Sequence, residues 1–277
     1  MKTTYLLLLL SLLSGAAVRA QILNLEKTDY VKDSSTAFYL NAAFSSNLYN
    51  RTAAEDEPID FFGLGGNFDM VYFSAQHMYT FLNKVDYLNI NNSPFNSTGY
   101  THMRVNFAHQ RFFSYELFGQ AQYDRLRLLD YRFLLGGGFR FRLLDTEHTH
   151  IFANLGVMYE NERWNDPDEA GRERQVDFLK SANHVRLRTD IHDRFSINTV
   201  LYYQVGYDER ASLFRHRVNT ETNLLFEISN LLDFKVSFSA AYENKPIIPI
   251  TRFIYALSNS IQFNLKRKKE KARPNSG

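Results

Sequence analysis

Arginine is the residue of this chain with the most chemical potential, because its placement gathers positive charge on one strand face. Arg140 and Arg142, Arg186 and Arg188, and Arg215 and Arg217 stand two apart, with Arg104 and Arg132 on similar polar positions. Spacing of two puts side chains on the same face of a strand. Glu116, Asp124 and Glu221 occupy equivalent positions, and Glu160 and Asp190 are further acidic candidates. Lining a barrel, the arginines would attract anions to the lumen. Paired with the carboxylates, they would fill the interior with ion pairs. The expectation is the plugged or narrow-lumen form.

Other constellations point less far. Gly136, Gly137 and Gly138 would need a helix directly after them to cradle a phosphate. The next residues are Phe139-Arg140-Phe141-Arg142, a strand. The glycines are therefore expected to relieve crowding or permit curvature, as are Gly63, Gly65 and Gly66. His148 and His150, beside Asp145 and Glu147, suggest part of a metal site. They fall in a predicted tight turn without a clear third and fourth ligand, so a solvated polar turn is expected. His184, His192 and His216 read as lumen or rim residues. Ser181 and His184, three apart, would face opposite sides of a strand rather than form a hydrolase pair. No cysteine is present, which excludes disulfides and thiolate chemistry. The expectation is a protein without catalysis, cofactor or metal.

These residues need elements to hold them, and the N-terminus says where those elements go. Residues 1–20 read as a cleaved secretory signal: Lys2, an apolar run from Tyr5 to Leu13, then Val18-Arg19-Ala20. The signal carries two of the 32 basic residues and none of the acidic ones, so the mature chain has 30 of each and is formally neutral. Residues 21–35 read as a periplasmic segment, 36–265 as one β domain, and 266–277 as a basic disordered tail. That tail could bind nucleic acid by charge, but an exported chain seldom meets any. No later stretch has the roughly 18 uninterrupted apolar residues of a membrane helix. A membrane role would fall to strands.

Alternation defines those strands. Phe133, Leu135, Phe139, Phe141 and Leu143 share one face, with Arg132, Arg140 and Arg142 on the other. Tyr115, Leu117, Ala121 and Tyr123 oppose Glu116, Gln120, Gln122 and Asp124, and 233–243 and 252–265 repeat the scheme. Residues 75–87 favour neither face. Connections near 45–58, 89–97 and 161–175 read as long, and those near 73–74, 109–111, 145–148, 191–194 and 229–231 as short. Long loops at one end and tight turns at the other are the pattern of an outer-membrane barrel. Aromatics at 15% of residues suit its interfacial girdles. The expected fold is therefore all-β: an antiparallel up-and-down transmembrane β-barrel of about 12 strands, an even number because both termini would lie in the periplasm. A soluble secreted β-barrel around an apolar ligand is one alternative, and an outer-membrane-embedded hydrolase another.

The stretch Arg132-Phe133-Leu134-Leu135-Gly136-Gly137-Gly138-Phe139-Arg140-Phe141-Arg142-Leu143-Leu144-Asp145 resembles the central strand of the domain of unknown function 481 (DUF481) family. The mature start Gln21 to Lys27 and the hairpin from Phe234 through Tyr242 to Pro246 are similar too. The resemblance implies an outer-membrane barrel, described in that family as salt-induced, and brings no catalytic residues. The expected protein is monomeric, lies in the outer membrane of a Gram-negative bacterium, and has a structural or small-solute role linked to osmotic or salt stress. Its expected partners are outer-membrane lipid and lipopolysaccharide, met by acidic clusters at Glu55-Asp56-Glu57 and from Glu160 to Glu169.

Overall fold

A computed structural model describes residues 37–52, 58–168, 171–229 and 232–263. The signal, the segment 21–35, the basic tail and the acidic run Glu55 to Glu57 lie outside the described residues. The rest is one antiparallel sheet of 13 strands. They are β1 (Ala37–Thr52), β2 (Pro58–Phe73), β3 (His77–Ile90), β4 (Ser93–Phe107), β5 (Phe113–Asp124), β6 (Leu129–Asp145) and β7 (Thr149–Asn165). Next come β8 (Glu173–Ser181), β9 (Asn183–His192), β10 (Phe195–Asp208), β11 (Leu213–Ser229), β12 (Leu232–Glu243) and β13 (Phe253–Phe263).

Both β8 and β9 lie between β7 and β10. They are halves of one crossing interrupted at Ala182, whose amide donates to the Gly156 carbonyl at 2.8 Å. At the break, the Ser181 hydroxyl accepts the Val205 amide at 3.1 Å. The sheet thus crosses twelve times, the expected count. The described ladders run in order from β1 to β13, and none among the described residues joins β1 to β13.

The outer face explains why alternation is so regular. Leu117, Phe133, Leu135, Leu155, Val157 and Leu179 all project outward and are exposed. Aromatic pairs bracket this band: Tyr131–Phe133, Tyr207–Phe214 and Phe253–Tyr255 at one end, Tyr72–Tyr79, Phe113–Phe139 and Phe195–Phe226 at the other. Tyr131 and Phe141 lie in one strand. Ten steps of about 3.3 Å at a tilt near 40° give an apolar height of about 25 Å between them, that of an outer-membrane barrel. The chain is a transmembrane β-barrel of outer-membrane type.

The expected loop lengths need correction. The 89–97 connection is only Asn91-Asn92, both at positive φ (50° and 60°), the geometry of a two-residue type I′ hairpin. The connection expected over 45–58 shrinks to 53–57, and that over 161–175 to 166–172. Strands of 14–17 residues exceed the roughly 9–11 that cross a bilayer, so the ladders continue beyond the lipid where polar residues cover both faces. The ends still differ. One carries the connections 91–92, 125–128, 166–172, 209–212 and 244–252, the other 74–76, 108–112, 146–148, 193–194 and 230–231, so the longest lie at the first. The first is the outer end.

Glycines let β5, β6 and β7 approach closely. A Cβ on Gly138 would come 2.6 Å from the Leu155 carbonyl oxygen, and one on Gly136 would meet the Phe118 ring at 2.6 Å. The Gly136–Gly138 run is thus a packing device within β6, with no helix after it.

Candidate functional site

The candidate site is the barrel interior. Near its outer end six charged side chains from five strands meet across the axis. Arg132 Nε lies 2.5 Å from Glu162 Oε1. Arg217 reaches Glu160 at 3.0 Å, Glu162 at 3.0 Å and Glu243 at 3.2 Å. Lys180 completes the set by donating to Glu160. Glu160 and Glu162 are fully buried, with 0% exposure. Three cations face three anions, so the cluster is neutral. Each carboxylate holds its cations by charge-assisted hydrogen bonds, which compensate desolvation only in such geometry.

Directly outward lies an apolar seal. Ile247 and Ile248, in the connection between β12 and β13, are buried against Leu129, Trp164 and Phe178. Trp164 joins seal and network, since its Nε1 donates to Glu162 Oε2 at 2.9 Å. Asn244 anchors the connection: its amide nitrogen donates to the Phe214 carbonyl at 3.1 Å and its Oδ1 accepts the His216 amide at 2.8 Å. Arg215, 2.7 Å from Asp208, donates to the Lys245 carbonyl. Burial of the two isoleucine side chains adds a few kcal/mol in all by typical values (~1.5–3 each).

Midway down, Glu116 accepts from Asn106 at 2.8 Å and Asn154 at 2.7 Å, with Arg104 3.6 Å away. Toward the inner end, Arg140 stacks over Phe152 at 3.9 Å, and Arg142 bonds Asp145 at 2.9 Å and the His109 carbonyl at 3.1 Å. Burial lowers the pKa of His109, in the turn 108–112, partly offset by its hydrogen bond to the Ser74 carbonyl; Arg140 and Arg142 lower it further.

Strand parity therefore sends the predicted lumen residues inward: Arg104, Glu116, Asp124, Arg132, Arg217 and Glu221 are buried. Arg140, Arg142, Arg186, Arg188 and Arg215 are half-buried on the inner face. Asp124 does a different job from the expected one, since its Oδ1 caps the turn Arg125–Arg127 through the Arg127 amide. Sequence reasoning missed Glu162, Lys180, Glu243 and Asp208 as partners. The acidic cluster from Glu160 is also corrected: its first two carboxylates lie inside the barrel, because β7 runs on to Asn165. The signal was present in Glu160, Glu162 and Trp164, which keep a period of two beyond the apolar band.

The remaining candidates disperse. His150 Nδ1 lies 2.5 Å from Asp145, and no group of three or more ligand side chains among the described residues could hold a metal. His184 faces the lumen beside Tyr202, with ring centroids 5.1 Å apart, while the Ser181 hydroxyl serves the backbone. His216 sits at the outer rim, bonded to the Tyr203 hydroxyl at 2.8 Å.

The sequence profile of the family described as "Protein of unknown function, DUF481" matches residues 62–247. The chain belongs to the DUF481 family. The DUF481 match runs from β2 to the seal, ending at Ile247. Among solved structures, the chain is similar to OmpTdeltaL8, a loop L8 deletion mutant of OmpT, an outer membrane protein of Vibrio cholerae. Identity is 9%, the match covers 83% of this chain and 100% of that one, and the TM-score is 0.28, too low to carry an argument. No curated protein matches.

Proposed function

We propose that this DUF481 protein is a non-enzymatic, monomeric outer-membrane barrel with a narrow lumen, shut at its outer mouth by its own β12–β13 connection. At rest it is a structural element of the envelope. Withdrawal of the connection would open a path for small solutes. The observation that carries this reading is the burial of Ile247 and Ile248 over Leu129, Trp164 and Phe178, above a charge-neutral network. Apolar constrictions block ions by excluding water. Above the aromatic band, Arg125, Arg163, Asp130 and Glu173 form a polar collar on the outer surface, at the depth where lipopolysaccharide headgroups would lie.

Planar-bilayer recording tests it. Wild-type protein should give no steady conductance, and an Ile247→Ser/Ile248→Ser variant should give resolvable single-channel steps. Silence from a variant that keeps heat-modifiable gel mobility would overturn the gated-pore reading.

A further inference from the structure

Beneath the seal the interior is not solid. A cavity of about 130 Å³ extends from the charged network to the Arg104–Glu116 layer. A cavity of about 150 Å³ takes up benzene, so this one has space for a few waters or for a solute of about six non-hydrogen atoms. Four polar atoms on its walls lack any hydrogen-bond partner: His102 Nε2, Arg104 Nε, Tyr202 OH and Gln204 Oε1. Buried polar atoms are rarely left so in native proteins. Their convergence marks a place where something else supplies the bonds.

The network fixes what each atom wants. Gln120 gives its amide nitrogen to Gln122 at 2.5 Å, which turns its oxygen toward His102 Nδ1, 3.1 Å away. Nδ1 therefore carries the hydrogen, and in the neutral ring Nε2 is an acceptor aimed into the cavity. Gln204 Oε1 is a second acceptor, Arg104 Nε is a donor, and the Tyr202 hydroxyl serves as either. The occupant must donate at least twice and accept at least once. It need not be charged, since the buried charges at both ends are matched and Arg252, at the edge, is exposed. Arg104 has Glu116, and the outer six balance one another. The Phe118, Trp164 and Tyr202 rings add apolar wall for C–H faces.

We propose that this chamber is a binding site for a small neutral polyol of about six non-hydrogen atoms. His102, Arg104, Tyr202 and Gln204 bond its hydroxyls, and the Ile247–Ile248 seal occludes it. The inference rests on the lumen being closed by the seal, yet its test needs no conductance, so the two can fail separately.

Radiolabelled glycerol should bind the full-length protein saturably in equilibrium dialysis, using an amine-oxide detergent that has no sugar headgroup. A Tyr202→Phe/Gln204→Leu variant with wild-type heat-modifiable mobility should bind at least tenfold more weakly, and Lys84→Ala, outside the chamber, should bind as wild type does. If the double variant does not fold, Tyr202→Phe alone should weaken binding at least threefold. Absence of saturable binding, equal affinity in the folded Tyr202 variants, or preference for glycine or inorganic phosphate over glycerol would overturn the proposal, leaving a chamber that holds water or ions.

Discussion

On the side of the lumen built by β6, β7, β8, β11 and β12, buried charges reach across the axis and lock onto one another. Where β1 to β4 line a second chamber of about 410 Å³, their residues are small or uncharged apart from Asp86, among them Ser45, Asn47, Gly63, Gly65 and Thr98. Both walls obey the same alternation. Their contrast shows that a period of two decides which residues face inward but not whether those residues fill the space. Asp124, Arg127 and Ile254 border both chambers.

The sharpest way to break this contrast is to remove one anion from the dense wall. Glu162→Leu should cost about 3–5 kcal/mol, because it leaves Arg132 and Arg217 short of a buried partner. The thermal midpoint of heat-modifiable gel mobility would register the loss. On the sparse wall, Asp86→Asn breaks the 2.6 Å contact with Lys84 and should change stability by no more than about 1 kcal/mol, since both groups are partly exposed. Equal effects would erase the distinction.

Next in size is the seal. Ile248→Ala should cost about 2–4 kcal/mol by truncation of a buried side chain. It should also shift the emission of Trp164, the single tryptophan, to longer wavelength and raise its quenching by iodide. A glycine pair then compares the walls directly. Gly138→Ala places a methyl against the Leu155 carbonyl and should destabilise by about 1–3 kcal/mol. Gly65→Ala meets chiefly the movable Ser45 hydroxyl and should stay within about 1 kcal/mol.

The smallest effect concerns the inner turns. With its folded pKa lowered, His109 binds fewer protons folded than unfolded once pH drops below the ordinary histidine value. Its contribution to stability is therefore intact at neutral pH and declines as pH falls from about 6.5 toward the lowered value. Amide exchange at 74–77 and 108–112 should quicken over that window in wild type and change less in His109→Gln.

Legibility in the sequence tracked contact with lipid. Where β5, β6, β12 and β13 carry apolar residues outward and polar ones inward, alternation gave register and face directly. Residues 75–87 resisted because Met78 and Leu82 point inward to meet Val71, Phe73 and Tyr100, so both faces of β3 are apolar. Residues 161–165 passed for a loop because β7 there has left the lipid: Asn161 and Arg163 face outward while Glu162 and Trp164 face inward. The Asn91-Asn92 turn was hidden by a run of polar residues and Pro94 that composition alone assigns to a loop.

By itself the sequence determined a transmembrane strand period and a count of about twelve crossings. Each of these is a local property of one strand set against lipid. Only the tertiary structure decided that Arg217 would meet Glu160, 57 residues away, and that an isoleucine pair in the last hairpin would enter the mouth. Such pairings depend on the curvature and stagger of the whole sheet, which bring distant strands face to face, and no single strand's pattern encodes them.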